Sequence, residues 1–309
     1  MKVLGIGNAI VDVLCKVNDQ FILDHNLSKG TMKLVDEKEF KKLLTNLKIE
    51  DTVSGGSVAN SIVGMSQLGD EVSFIGKVND DELGQKYIEG LRKENVKYFY
   101  QTKKGKVPTG TCLILITPDS ERTMCTFLGI AGQIDDNDID TKAIQNAEIT
   151  FLEGYLWDEG GPTKAFEKAL SAAKKSAMSL SDPFCVDRHK DSFLNLVENK
   201  LDIIFANEKE AISLINAKNF DEVIEFGKSL NKLFIITRSD KGSIAIEGND
   251  ISEAQAKSNL KIVDLTGAGD LFAAGFLHGL TNNKNPYESL NLGTEMASKI
   301  IQKIGARLD

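Results

Sequence analysis

Cysteine, histidine, tryptophan and long apolar runs are all scarce in this chain of 309 residues, and each scarcity removes a class of protein. The four cysteines, Cys15, Cys112, Cys125 and Cys185, lie far apart, with no CxxC pair and no histidine at metal-ligand spacing. That pattern implies neither a zinc site nor a disulfide framework and reads as reduced core thiols. Three histidines leave little for imidazole chemistry. No apolar run approaches the ~18 residues of a membrane span, so no membrane partner is expected. Lysine and arginine total 37 against 45 acidic residues, a net charge of -8, and no basic cluster is dense enough for a nucleic-acid footprint. Small molecules are therefore the expected partners.

At 41% hydrophobic and 27% charged, the sequence is that of an ordinary globular protein with material for one large core or two small ones. The opening MKVLGIGNAIVDVLCKV is interrupted by Gly5, Gly7, Asn8 and Asp12 too early for a signal-peptide core, and a cytoplasmic location is expected. Short apolar strands (VSFIG at 72–76, ITFL at 149–152, DIIFA at 202–206, LFIIT at 233–237, SIAIE at 243–247) alternate with helical patterns at 57–69, 162–177 and 220–231. Such alternation predicts an α/β fold with a largely parallel sheet covered by helices on both faces, and ligands collect at the carboxyl ends of such strands. Residues 12–36 and 97–129 break the rhythm and look strand-rich, which predicts a small β element formed by two excursions and able to act as a lid. No linker or repeat marks a clean domain boundary.

Several familiar signatures fail. GIGNAI at 5–10 has Ile10 where a dinucleotide fingerprint needs its third glycine, and Gly227-Lys228-Ser229 lacks the first glycine of a P-loop and lies in a helical pattern. There is no GxSxG, HExxH, HRD or DFG.

Other stretches carry chemistry. In DLTGAGDLF (264–272) an extended segment turns into a helix near Gly267, and the first N–H groups of a helix, here those of Gly267, Ala268 and Gly269, have no intrahelical partner and can receive an anion. Asp270 then sits where a base can take a proton from an attacking hydroxyl, or it merely complements the helix dipole. In VSGGSVANSIVG, Gly56 lets a ligand approach and Asn60 can both donate and accept; a turn before a capped helix explains the same residues. Asn8 and Asp12 leave the first strand at its carboxyl end, where a carboxylate can hold two vicinal hydroxyls or serve an ordinary turn. Asn207 and Glu210 in FANEKEA have the spacing of a capping box, and TRSDKGS, with Thr237 and Gly242, fits a strand, turn and strand.

The order of these pieces, GN(x3)D, GG(x3)N, NExE, TRSxKGS and DxTGAGD, resembles the ribokinase family of carbohydrate and nucleoside kinases, the PfkB type, over nearly the whole chain. The resemblance implies a ribokinase-like three-layer α-β-α domain spanning 1–309, with a mostly parallel central sheet and a small β-sheet lid. Within the family, GIGNAIVDV, VPTGTC, DIIFANEKEA and the GAGDLF segment resemble adenosine kinases and their bacterial relatives.

Carried over residue by residue, the resemblance makes Asp270 the general base and the backbone donors of Gly267, Ala268 and Gly269 the anion hole. Asn207, Thr237, Gly242, Gly267 and Gly269 are implied for ATP, and Glu210 for magnesium through water. Asn8, Asp12, Gly56 and Asn60 are implied for acceptor hydroxyls. Arg122, in the lid, is placed to meet phosphate. Met32, Phe127, Tyr155 and Trp157 are candidates for packing around a nucleobase, with core packing as the alternative. Mg2+ and the co-substrate ATP are implied; a monovalent cation such as K+ is in doubt because Leu265 replaces the more usual threonine. The expected activity is transfer of phosphate to a ribonucleoside, with a sugar kinase as the alternative within the family and a non-catalytic nucleoside- or sugar-binding protein outside it. Exposed lid strands make a homodimer credible beside a monomer.

Overall fold

A computed structural model describes residues 1–45, 47–102, 104–119 and 121–308. Nine strands form the large sheet, in the order β14 (Asp250–Ala254), β13 (Ser243–Glu247), β12 (Leu233–Thr237), β11 (Ile203–Asn207), β10 (Ser176–Ser179), β9 (Ile149–Glu153), β1 (Val3–Ile6), β5 (Val72–Ile75) and β6 (Lys97–Tyr98). All neighbours pair in parallel except β12–β13 and β13–β14. VLGI and VSFI are buried at every position, as strands covered on both faces must be. Side chains alternate between two apolar layers: Val3, Phe74, Phe151 and Phe205 meet Phe276 and Ile62 on one side, while Leu4, Ile6, Leu152 and Ile204 meet Phe166 and Phe193 on the other.

The helical pattern at 162–177 is cut short. The helix ends at Ala172, and Ser176–Ser179 is β10, a central strand between β9 and β11. SAMS carries no β-branched residue, so position in the sheet, not propensity, makes it a strand.

Five strands form the small sheet, in the order β3 (Met32–Leu34), β8 (Arg122–Phe127), β7 (Gly110–Ile116), β2 (Ile10–Lys16) and β4 (Ile49–Ser54). Between β2 and β3 lies a short helix, Asp19–Asp24, whose first turn is capped by the Asn18 side chain. IEDTVS, which adds β4, lies outside both strand-rich stretches, and exposure along it hides its apolar signal. One face of this sheet, with Val13, Leu113, Cys125 and Phe127, packs under Phe40 and Leu43 of the helix Glu37–Leu44. The register places Asp12, Cys112, Thr126 and Leu34 in one row of the opposite face, and Leu14, Ile114, Met124 and Met32 in the next. No helix among the described residues is long and apolar enough to cross a membrane.

Candidate active site

The helix Ala268–Thr281 begins as the sequence predicts, with Gly267 as its cap at φ 77. A side chain at Gly267 would be strained by that φ and would also put its Cβ 2.7 Å from Ala306 Cα, so only glycine fits this turn. The Ala268 N–H bends back to the Leu265 carbonyl at 3.2 Å, while among the described residues the N–H groups of Gly267 and Gly269 have no protein partner. Asp264 organises the approach: its Oδ1 accepts from the N–H and hydroxyl of Thr266 at 3.0 and 2.7 Å, and its Oδ2 from the Gly305 N–H at 2.8 Å. Leu265 between them is 66% exposed and offers no hydroxyl.

Asp270 stands in the first turn of that helix. Its Oδ1 accepts from the Ser57 hydroxyl at 2.6 Å and its Oδ2 from Asn60 Nδ2 at 3.0 Å. Both partners belong to the helix Ser57–Gln67, whose cap Gly56 has φ 100 and lies so close to the Asn8 carbonyl that a Cβ would come within 2.3 Å of it. Burial pushes the Asp270 carboxyl up to about 6, against the two hydrogen bonds and the Arg307 charge, which pull it down. Such a group is ionised at neutral pH and still basic enough to accept a proton.

Asp12 lies against Gly55 on the strand that leads from β1 into the small sheet, and burial raises its carboxyl to about 7 although the guanidinium groups of Arg307 and Arg122 lower it. Arg122 is in turn ion-paired to Asp264 at 2.9 Å, each side chain 9% exposed, which ties β8 of the small sheet to the loop before the turn at Gly267. Asn8 is buried; its N–H and Nδ2 donate to Glu153 Oε1 at 3.2 and 2.9 Å, and Glu153 Oε2 accepts from the Val58 N–H at 3.0 Å. Burial lifts the Glu153 carboxyl to about 7. Asn8, Gly56, Asn60, Asp12, Arg122 and Asp270 thus come together around the carboxyl end of β1.

The residues expected on the nucleotide side line up further along the same sheet end. Asn207 of β11 pairs in register with Thr237 of β12, and Thr237 with Ser243 of β13, just past the turn at Gly242. Asn207 and Glu210 form the capping box: Asn207 Oδ1 accepts from the Glu210 N–H at 2.9 Å, and Glu210 Oε2 accepts from the Asn207 N–H at 3.0 Å. Burial raises the Glu210 carboxyl to about 7, with the Asp182 charge adding to the effect. A carboxylate in that setting fits a magnesium ion held through water and phosphate oxygens, the usual way this ion is bound.

The four candidates for packing around a nucleobase separate. Tyr155, held by its N–H on Ser181 Oγ at 3.1 Å, is half-buried, its phenol pushed up by desolvation, and within electrostatic reach of both Asp270 and Glu210. Met32 joins the apolar row of the small sheet. Trp157 goes elsewhere: it packs edge-on to Phe166 and Phe193, ring centroids 5.1 and 6.3 Å apart, in the layer opposite the helices that carry Asn60 and Asp270. Phe127 likewise turns to the far face of the small sheet and meets Phe40 at 6.0 Å. For these two the core-packing reading describes their place.

Sequence reasoning misses Glu153 and Arg307. Glu153 ends β9 as the last letter of a run of buried residues, and a carboxylate at that end of a parallel strand is the signal for it. Arg307 Nε donates to Asn60 Oδ1 at 3.1 Å, a contact across 247 residues that no local pattern announces.

The fold is shared with known proteins. An adenosine kinase from Sinorhizobium meliloti superposes with a TM-score of 0.93 at 35% identity, covering 99% of this chain and 95% of the other. Adenosine kinase of Saccharomyces cerevisiae is 26% identical over 325 residues, 97% of this chain and 94% of the relative. A 5-dehydro-2-deoxygluconokinase of Clostridium botulinum is 27% identical over 303 residues, 90% and 84% of the two chains. The profile of the pfkB family carbohydrate kinases matches residues 34–309. With the motifs, the ribokinase-like fold and this match in hand, the chain belongs to the PfkB family, a phosphotransferase with an alcohol group as acceptor.

Proposed function

We propose that the protein is an ATP-dependent kinase that phosphorylates the 5'-hydroxyl of adenosine, giving AMP and ADP. The observation that carries the reading is the seat of Asp270, between two hydrogen-bond donors and in the first turn of a helix with unpartnered N–H groups at Gly267 and Gly269. The acceptor oxygen attacks the γ-phosphorus, its proton passes to Asp270, and the bond to the bridging oxygen of ADP breaks. Backbone donors at the helix start stabilise the charge in flight; transfer of this kind is mainly positioning and electrostatics. Magnesium, when bound, neutralises phosphate oxygens, and Glu210 with Asn207 would hold it through water. Asn8 and Asp12 suit the ribose hydroxyls.

A nucleoside is favoured over a free sugar by the apolar row of Leu14, Ile114, Met124 and Met32 beside the Asp12 row of the small sheet, a surface suited to a flat base. The similarity to adenosine kinases over nearly the full length supports the same choice. A second reading, a kinase for a sugar acid, draws on the two guanidinium groups near Asp12 and on the similarity to a 5-dehydro-2-deoxygluconokinase. In both readings the small sheet acts as a lid, and its edge strands β3 and β4, which expose Leu34, Ile49 and Val53, are where two lids would pair in a dimer.

The test is ADP formation from Mg-ATP with adenosine, guanosine, inosine, cytidine, ribose, fructose and 5-dehydro-2-deoxygluconate, with Asp270→Asn as control. Turnover of adenosine far above every sugar, lost in the control, is expected. Preference for the sugar acid replaces the first reading with the second, and no turnover with any acceptor overturns both.

A further inference from the structure

Asn60 has an amide whose two ends are alike in shape and opposite in hydrogen bonding, so something must decide which end faces Asp270. Its Nδ2 donates to Asp270 Oδ2 at 3.0 Å, and its Oδ1 accepts from Arg307 Nε at 3.1 Å. Arg307 has a single way to take part, because a guanidinium only donates. With the donor on one side and the carboxylate on the other, a reversed amide would set like against like at both contacts.

The segment carrying Arg307 is held on several sides. The Gly305 N–H donates to Asp264 Oδ2 at 2.8 Å, Ala306 lies against Gly267, and Gln67 Nε2 donates to the Leu308 carbonyl at 2.7 Å. Within electrostatic reach of the guanidinium are Asp12 from β2, Asp270 from its helix, and Tyr87 and Glu94 from the helix Glu82–Lys93 and its C-terminal cap. Asp270 in turn is within electrostatic reach of Asp12, Glu153 and Tyr155 as well as Arg307. Arg307 Nη2 is buried and has no partner among the described residues. Burying an arginine with one nitrogen unpaired is costly, and an ion pair or a site is the usual reason for accepting that.

We propose that Arg307 is a positioning residue of the acceptor site: its Nε fixes the Asn60 amide toward Asp270, and its charge offsets the facing carboxylates of Asp12 and Asp270. The proposal rests on Asp270 as the base. Arg307 acts on that base through Asn60 and through its charge, without contact with the proton in transfer.

The experiment compares Arg307→Met, Arg307→Lys, Asn60→Ala, the double variant Arg307→Met/Asn60→Ala and Asp270→Asn, using adenosine or whichever acceptor the parent turns over, with thermal unfolding of each as a check on folding. Arg307→Met is expected to lower kcat roughly 10- to 100-fold at unchanged KM, the size of effect that misplacing a catalytic group produces. Its acid limb in kcat should move to higher pH, because the positive charge that holds Asp270 down is gone. Arg307→Lys keeps the charge, so its limb should stay while kcat falls. In kcat at its optimum pH the double variant should be little worse than Asn60→Ala, since both changes break one relay, while its acid limb should move as in Arg307→Met, since the charge is lost as well. A raised acceptor KM with kcat and pH limb untouched would make Arg307 a direct substrate contact and overturn the proposal; so would faster turnover in Arg307→Met, which would make the segment a plug. Should Arg307→Met unfold, Arg307→Lys and the pH limb decide alone: a parent-like kcat in Arg307→Lys overturns the proposal. If Asp270→Asn is as active as the parent, the base assignment itself fails; if it is inactive while Arg307→Met is parent-like, the fault lies with this inference alone.

Discussion

Asp270 draws its neighbours from stretches of chain as distant as Ser57 and Arg307, whereas the Asn207–Glu210 pair is complete within one helical turn. The proposed acceptor side is therefore a product of tertiary packing, and the Asn207–Glu210 part of the proposed nucleotide side a product of local structure. On the proposed acceptor side, half-buried carboxylates are raised by desolvation and offset by guanidinium groups; on the proposed nucleotide side a backbone cap is the candidate magnesium seat. A site assembled over long range can be tuned by any of its contributors. It also fails when any of them is lost.

The largest expected effect falls at the centre of the assembled side. Asp270→Asn should lower kcat about 10²- to 10⁴-fold, the contribution of a placed base, with the fold intact by circular dichroism. Next comes the tie between the small sheet and the catalytic loop: Arg122→Ala leaves Asp264 buried without its charge partner and should cost about 3–5 kcal/mol of stability, read as a drop in Tm and in the denaturation midpoint. A parent-like Tm would show that the pair does not join the two parts.

The local side should break more gently. Glu210→Ala loses half of a capping box and should cost about 1 kcal/mol, while Glu210→Gln can still reach back to the Asn207 N–H and should cost less. Both variants should need more magnesium for half-maximal rate. Unchanged magnesium dependence in both would leave Glu210 a cap and nothing more.

A pH prediction separates the two sides further. Glu153 has a folded pKa of about 7, above the ordinary carboxylate value of about 4.3, so its contribution to stability is full below that lower value and is lost as pH rises to about 7. Asp12, Asp270 and Glu210 have the same sign. The Tm of Glu153→Gln should accordingly fall less than that of the parent between these two pH values, and parallel curves would refute the raised pKa. The smallest effect is expected at Trp157: Trp157→Phe should leave the acceptor KM unchanged, because the indole packs on Phe166 and Phe193 away from Asp270. A clear rise in that KM would return it to the site.

These differences also explain what could be read in the sequence. Alternating strands and helices, the helix start at Gly267 and the capping box at Asn207 are local patterns, and they were legible from neighbours within a few residues. SAMS was hidden because a central strand need not carry strand-forming residues. Trp157 and Phe127 were ambiguous because aromaticity does not say which face of a sheet a side chain occupies; the register of β8 decides that for Phe127. Glu153 and Arg307 act across 95 and 247 residues, on Val58 and Asn60; only the strand end marks Glu153 in the sequence, and nothing local marks Arg307.

The most direct test of the assembled base is the pH dependence of kcat/KM for the accepted substrate, measured from about pH 5 to 9 in the parent protein. An acid limb near 6, the value at which burial and its hydrogen bonds leave Asp270, is the predicted result. A rate that stays flat down to pH 5 would contradict the account, because no group raised by this environment would then be taking the proton.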